Sequence, residues 1–317
     1  MKNYLITGVA GFIGSHLLEA LIKRGDSVFG IDNFDSFYSK ATKQKNIESA
    51  LTYSNFTFLE CDIRDSDSLK AILKENRFDA VIHLAAKAGV RNSLKDPKSY
   101  FDVNVMGTMS LLEEMRNSNH TKLIFASSSS VYGNNTKVPF SEADSVDCPI
   151  SPYAASKKSA ELLCYSYHHL YNFDIYALRF FSVYGPRQRP DMGIHKFFDA
   201  FLNGTPITMY GDGTSRRDYT FIDDIIYGTI EAIDSCRGYE VINLGESKTT
   251  LLKALIDEIG TITSKEVEIN SLPMQPGDVI QTNADISKAR KLLGYSPKID
   301  IQTGLKRHFE YLIAQDQ

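Results

Sequence analysis

The stretch "YLITGVAGFIGSH" (residues 4–16) restricts the fold more than any other. A four-residue apolar run reads as a strand. Gly8, Gly11 and Gly14 follow in G-x-x-G-x-x-G spacing, and a 3.6-residue apolar pattern from about Phe12 to Arg24 reads as a helix that Gly25 ends. A strand that turns this tightly into a helix opens a βαβ unit. Gly8 serves the tight turn, Gly11 lets a pyrophosphate approach the backbone, and Gly14 lets helix and strand pack closely. The free N–H groups of the helix N-terminus then face the phosphates. Asp32 closes the next apolar run, "SVFGI". A carboxylate there accepts both ribose hydroxyls of an adenosine and repels a 2′-phosphate. No arginine follows at once in "IDNFDS", so the spacing favours NAD over NADP.

The same rhythm continues down the chain. "FTFLEC", "DAVIHL", "KLIFAS" and "DIYALRF" read as further strands, with helical patterns near 66–76, 99–117 and 152–171. Alternating units of this kind predict an α/β protein, a Rossmann-type doubly wound parallel sheet. After Phe181 the elements shorten, with turn signals at "YGDGTS" and "LPMQPGD". We read 1–181 as an NAD-binding domain. Residues 182–317 read as mainly a smaller C-terminal α/β substrate domain that also returns a strand or helix to the main sheet. A chain of 317 residues, 43% hydrophobic, can bury the core this needs. Its net charge of −4 offers no basic excess for nucleic acid or a membrane surface. Cys61, Cys148, Cys164 and Cys236 form no CxxC pair and read as idle thiols in a reducing cytosol. No HExxH occurs, so no metal site is expected. No segment has membrane-spanning length, and glycines interrupt the apolar N-terminus too early for a signal peptide. A cytoplasmic protein is expected.

"SPYAASKKSAE" starts the helix near 152–171, with Ser151 as N-cap and Pro152 at the first helical position. Tyr153 and Lys157 fall on one face. A free tyrosine is phenolate in only about one molecule in a thousand at pH 7. Half-ionising it takes about three pKa units, roughly 4 kcal/mol. One ammonium about 4 Å away at an effective dielectric near 20 supplies that much, so the spacing predicts a general base at Tyr153.

"TGVAGFIGSH", "HLAAKAGVR", "SSSSVYG", "YAASKKSAE" and "RFFSVYGP", in that order over essentially the whole chain, resemble the extended short-chain dehydrogenases/reductases that act on nucleotide sugars. "AAKAGVRNSL", "GPRQRPDM", "RRDYTFIDD" and "PGDVIQTNADISKARKLLGYSPK" resemble the UDP-glucuronate 4-epimerases most. The resemblance implies a bound NAD, a UDP-sugar substrate, and a homodimer built on the helices near 99–117 and 152–171. Phe101, Val105, Leu112, Leu163 and Leu170 are apolar positions that fit either the dimer face or the core. It also implies a role in supplying precursors for surface polysaccharide.

Residue by residue, the resemblance assigns Tyr153, Lys157, Ser128 and Ser130 to catalysis. Tyr153 would take the proton of the sugar 4-hydroxyl while hydride leaves C4. The ketone would turn over, and hydride would return to its other face. Ser128 would lie near the nicotinamide, and Ser130 would bridge Tyr153 and the sugar oxygen, since a hydroxyl both donates and accepts. Cofactor contacts are implied at Gly8, Gly11, Phe12, Ile13, Gly14, Asp32, Asn33, Asp62, Ile63, Leu84, Ala85, Ala86, Tyr153 and Lys157. Substrate contacts are implied at Arg91, Ser182, Arg187, Arg189, Arg217 and Asp278. Arg189 would read the uronate carboxylate, Arg217 the pyrophosphate and Asp278 the uridine ribose. Gln275 departs from the pattern, standing where neutral-sugar epimerases carry a second phosphate-binding arginine; Arg216 or Lys87 would have to compensate. Related dehydratases place an acid just before the Val-Tyr-Gly triplet. Here Ser129 and Ser130 stand there, which points to oxidation and return, not loss of water. The alternatives are a UDP-glucose or UDP-N-acetylglucosamine 4-epimerase, and a non-catalytic NAD-binding regulator on the same scaffold.

Overall fold

Strand β1 (Asn3–Thr7) buries residues on both of its faces. Tyr4 and Ile6 join one apolar cluster, and Leu5 joins a second on the other side. Strands β2 (Ser27–Asp32), β3 (Phe56–Glu60), β4 (Ala80–His83), β5 (Lys122–Ser128) and β6 (Asp174–Phe180) follow. The alternation repeats in β4 and β5, where Ile82 and Ile124 face the first cluster and Val81, Leu123 and Phe125 the second. Only a sheet covered on both faces tolerates this pattern. The computed structural model describes residues 1–274, 277 and 279–315. It shows a seven-stranded parallel sheet in the order Tyr239–Leu244, β6, β5, β4, β1, β2, β3. The α/β, Rossmann-type class expected from the sequence is therefore correct. The order reverses between β1 and β4, and a crevice forms at the carboxyl ends of such strands.

Helix α1 (Phe12–Lys23) packs beside the helix Ile222–Ser235 on one face. Ser66–Glu75, Thr108–Asn117 and Pro152–Tyr171 cover the other. The last begins as expected: Ser151 caps the amide of Ala154 and Pro152 starts the first turn. The stretch near 99–117 is not one regular helix. Pro97–Phe101 runs into a wide π turn, Asp102–Gly107, before Thr108–Asn117. A Cβ on Gly107 would lie 2.6 Å from Ile63, so the turn sits hard against the loop after β3. Lys40–Glu48 is a helix the apolar pattern did not reveal. "KATKQKNIE" carries one large apolar residue, Ile47. Polar anchors hold it instead: Asn46 donates to the Ala10 carbonyl (3.0 Å) and Lys43 to that of Asp35 (2.6 Å).

Beyond Phe181 the chain adds short strand pairs: Ser182–Tyr184 with Tyr219–Phe221, Arg216–Arg217 with Thr250–Leu251, and Ile207–Tyr210 with Ile269–Leu272. It also supplies the edge strand Tyr239–Leu244 of the main sheet. Cys61, Cys164 and Cys236 are buried, Cys148 is exposed, and all four are free thiols.

His83 and His308 are buried as neutral rings, and His16 is partly buried. Thr108 gives its hydroxyl proton to the Asn104 carbonyl (2.6 Å), so it must accept from Nε2 of His83 (3.0 Å). Nδ1 of His83 then accepts from Thr7 (2.7 Å), whose oxygen also takes the amide proton of Ala85 (3.2 Å). Burial pushes His83 and His308 down to about 3, and His16 to about 4. Below the ordinary value near 6.5 the unfolded chain takes up protons that the fold refuses. Stability is therefore lost as pH falls through that value, at about 1.4 kcal/mol per ring at pH 5.5. Both ring nitrogens of His308 lack a partner among the described residues. His308→Leu should raise the urea midpoint at pH 7.5 and flatten its decline between pH 7.5 and 5.5. An unchanged decline would show that His308 protonates in the native state.

Candidate active site

A cleft of about 490 Å3 opens at the carboxyl ends of the strands. At its floor Gly8 holds φ +72°, and a Cβ there would stand 2.7 Å from the amide of Ala85. A Cβ on Gly14 would lie 2.2 Å from the Gly8 carbonyl, so α1 can meet β1 only through glycine. Gly11 puts no side-chain cap on the first turn of α1, and Gly11, Phe12, Ile13 and Gly14 line the cleft. Asp32 is buried at the end of β2. It accepts the amides of Ala10 (3.1 Å) and Phe34 (2.8 Å), while burial pushes its carboxyl upward. Those two bonds leave acceptor capacity for a diol.

Tyr153 is partly buried in the cleft wall, edge-on to Tyr100 at 6.1 Å. Burial pushes its hydroxyl upward, while a hydrogen bond with Ser128 and the charge of Arg189 pull it down. Lys157 lies on the same helical face, but its ammonium donates to the Ala126 carbonyl (2.8 Å) over the Phe125 ring. Burial lowers it to about 8 against the charge of Glu161. The sequence spacing predicted a lysine that acidifies the tyrosine. In the structure the lysine is tethered to β5, and burial outweighs the charges acting on Tyr153. The serines also differ from expectation: Ser128, not Ser130, bonds Tyr153. Ser128 further accepts the amide of Ser130 (3.1 Å), and the buried Ser130 hydroxyl has no partner among the described residues. Ser127 donates to Glu161 (2.6 Å), which forks onto Arg179 at 2.8 Å through each oxygen.

At the far end Arg189 lies in the cleft wall. Its Nε and Nη2 make a fork to Asp191 (2.9 and 2.8 Å), and Phe37 lies 5.2 Å from the guanidinium. Arg217 also lines the cleft, donating to the carbonyls of Arg216 (2.9 Å) and Ile280 (3.1 Å). Asn33, Ile63, Leu84, Ala85, Ala86 and Ser182 complete the expected residues found in the wall. Three others lie outside it. Asp62 is held by a fork from Arg64 and by Asn33 (2.8 Å), with Arg64 chiefly responsible for lowering it to about 2. Arg91 stacks on Tyr210 at 4.2 Å. Arg187 pairs with Glu19 of α1. Asp278 and Gln275 fall outside the described residues.

Sequence reading missed several residues that shape this cleft. Asn104, in the π turn, both accepts the amide of Lys87 (2.8 Å) and donates to its carbonyl (2.9 Å), pinning the loop after β4. Tyr100 donates to the Ala88 carbonyl (3.1 Å) in the same loop. Lys87 itself, named from the sequence as a possible phosphate partner, faces Asp35 at 3.7 Å. An asparagine set between Val103 and Val105 was the available signal, because buried amides need partners.

A family model described as GDP-mannose 4,6 dehydratase matches residues 5–308. The chain belongs to that family. It is one of the extended short-chain dehydrogenases/reductases. A UDP-glucuronate 4-epimerase of Thermodesulfobacterium geofontis is 46% identical over 97% of this chain and 95% of its own length. UDP-glucuronic acid 4-epimerase from Bacillus cereus, solved with UDP-glucuronic acid and NAD, superposes with a TM-score of 0.92 at 42% identity, covering 99% of each chain. UDP-glucose 4-epimerase from Thermotoga maritima, solved with UDP-glucose, gives 0.91 at 33% identity, covering 99% of this chain and 100% of that one. Among the described residues no helix is long and apolar enough to cross a membrane, and no cluster of three or more His, Cys, Asp or Glu could hold a metal ion.

Proposed function

We propose that this protein is an isomerase that inverts C4 of a UDP-sugar with NAD as cofactor, converting UDP-glucuronate to UDP-galacturonate through a 4-keto intermediate. The observation that carries this reading is one constellation: the Tyr153 hydroxyl, bonded to Ser128 and in the field of Arg189, inside a cleft floored by the glycine turn. The likeness to UDP-glucuronate 4-epimerases over nearly the full length supports the choice of sugar.

The residues present suit NAD. The uncapped turn of α1 would hold the pyrophosphate, and Asp32 would take the adenosine ribose. NAD when bound supplies the acceptor and donor of the C4 hydride, and its positive ring favours a phenolate beside it. Tyr153 holds the proton that leaves the sugar 4-hydroxyl and returns it to the same oxygen. Ser128 accepts or donates beside it as the charge changes. Ser130, whose buried hydroxyl has no partner among the described residues, supplies a second hydroxyl to the sugar oxygen. Lys157, tethered to Ala126, keeps a cation on the helical face that carries Tyr153. Ser129 and Ser130 put no acid before Val131, which favours return of the hydride over elimination. Arg217 and Arg189 receive the pyrophosphate and the uronate.

Because Asp191 already pairs with Arg189, a neutral hexose strands no buried cation, and UDP-glucose is the second reading. The deciding experiment incubates the protein with NAD and UDP-glucuronate, UDP-glucose or UDP-N-acetylglucosamine in turn and reads C4 configuration by NMR. Inversion of UDP-glucuronate at the highest kcat/KM is expected. No inversion of any of the three would leave only the regulator.

The same reading includes a homodimer. Leu112 belongs to the core and Leu163 packs against it, but Phe101, Met106, Leu162 and Leu170 are exposed on the two helices expected to pair. Exposed apolar side chains gathered on two helices suit a subunit interface. Sedimentation should show a dimer, and the pair Leu162→Lys, Leu170→Glu should shift it to monomer. A monomeric parent protein would remove the assignment.

A further inference from the structure

The ion pair at Arg189 has a consequence for the reaction itself. A carboxylate is best seated on the Nε/Nη2 edge of an arginine, where two parallel hydrogen bonds form. That edge is occupied. Asp191 accepts from Nε at 2.9 Å and from Nη2 at 2.8 Å, and Nη2 also reaches the Ala88 carbonyl at 3.3 Å. Nη1 is the guanidinium nitrogen with no hydrogen bond among the described residues. The pair is local and stiff: Pro190 stands between its members, and a fixed φ at that position holds Asp191 under the guanidinium. Phe37 closes one side.

Resting on the reading that the cleft takes UDP-glucuronate, we propose that Asp191 is a positioning residue that keeps Arg189 half-neutralised. The uronate carboxylate is then met by Nη1 alone and is let go when the ketone turns. Inversion at C4 requires that turn. The hydride acceptor lies on one side of the cleft, so the planar ketone must present its second face to the same side. The carboxylate on C5 travels with the ring and must leave Arg189 on the way. An arginine with no second partner would be stranded as a buried cation at that moment, which is costly. Paired with Asp191, it is not. The pairing weakens the hold on the bound sugar and lowers the barrier to its rotation.

The test is Asp191→Asn, which keeps the size and one acceptor but removes the charge. Binding is measured in a Tyr153→Phe background, where turnover does not interfere. Kd for UDP-glucuronate should fall about tenfold, while Kd for UDP-glucose stays level or rises. With Tyr153 intact, kcat on UDP-glucuronate should fall about tenfold, and Asp191→Glu should bring both quantities back toward the parent values. A residue that merely supports the loop would raise Kd and lower kcat together. Unchanged or weaker uronate binding in Asp191→Asn, or an undiminished kcat, overturns the proposal. The parent protein is assayed alongside. If it does not invert UDP-glucuronate, the assigned substrate fails; if it does and Asp191→Asn behaves like it, only this inference fails.

Discussion

Replacing Tyr153 by Phe should slow inversion of UDP-glucuronate by about three orders of magnitude, with little change in the affinity for the sugar nucleotide. The hydroxyl is placed to exchange a proton with the sugar oxygen at C4, and its removal leaves Ser128 and Ser130 as the nearest hydroxyls. Neither serine is basic enough at neutral pH to stand in. The loss should appear in kcat, because the proton moves only as the reaction proceeds. Initial rates by NMR and a calorimetric Kd on the same preparation separate the two effects. A variant that retains a tenth of parental turnover would mean that the proton goes elsewhere.

The second large effect is expected at Arg189. Truncating one member of a buried, hydrogen-bonded charge pair costs about 2–5 kcal/mol, because its partner stays behind unpaired. Arg189→Ala leaves both Asp191 and the uronate without a cation. For UDP-glucuronate kcat/KM should drop by roughly two to three orders of magnitude, and for UDP-glucose much less. The product distribution should change as well. A 4-keto uronate is a β-keto acid and loses CO2 readily when its C5–C6 bond stands perpendicular to the carbonyl plane. In the proposed site Arg189 and the serines would hold the carboxylate near the ring plane, so the surviving turnover of Arg189→Ala should carry an increased share of UDP-pentose. Normal inversion of UDP-glucuronate by this variant would remove Arg189 from substrate recognition.

What could be read from the sequence was local. Gly8 and Gly14 announce the first βα turn because no other residue type fits a Cβ at 2.7 or 2.2 Å from backbone. Ser151 and Pro152 announce the start of their helix because capping is a matter of three or four adjacent residues. Tyr153 and Lys157 share a face by helical geometry alone, but spacing says nothing about reach. Lys157 found the Ala126 carbonyl, 31 positions away in the chain, as its tether. The residues that escaped notice also act between segments that the chain order does not bring together. Asn104 grips Lys87 in a neighbouring loop. Glu161 ties Ser127 to Arg179 across two strands and a helix. The polar helix Lys40–Glu48 has no apolar stripe because hydrogen bonds to distant carbonyls hold it. Asp191 was two positions from a residue already singled out. It was overlooked because an arginine and an aspartate separated by proline do not announce a closed fork.

The π turn at Asp102–Gly107 joins two faces of the molecule within one short stretch. Phe101 and Met106 look outward, and Asn104, between them, clasps the loop that roofs the pocket. An extra residue in that turn is what lets neighbouring side chains diverge so sharply. The surface by which one copy would recognise another and the bracket that shapes the chemistry are thus cut from the same few residues. Sequence drift in either is constrained by the needs of both.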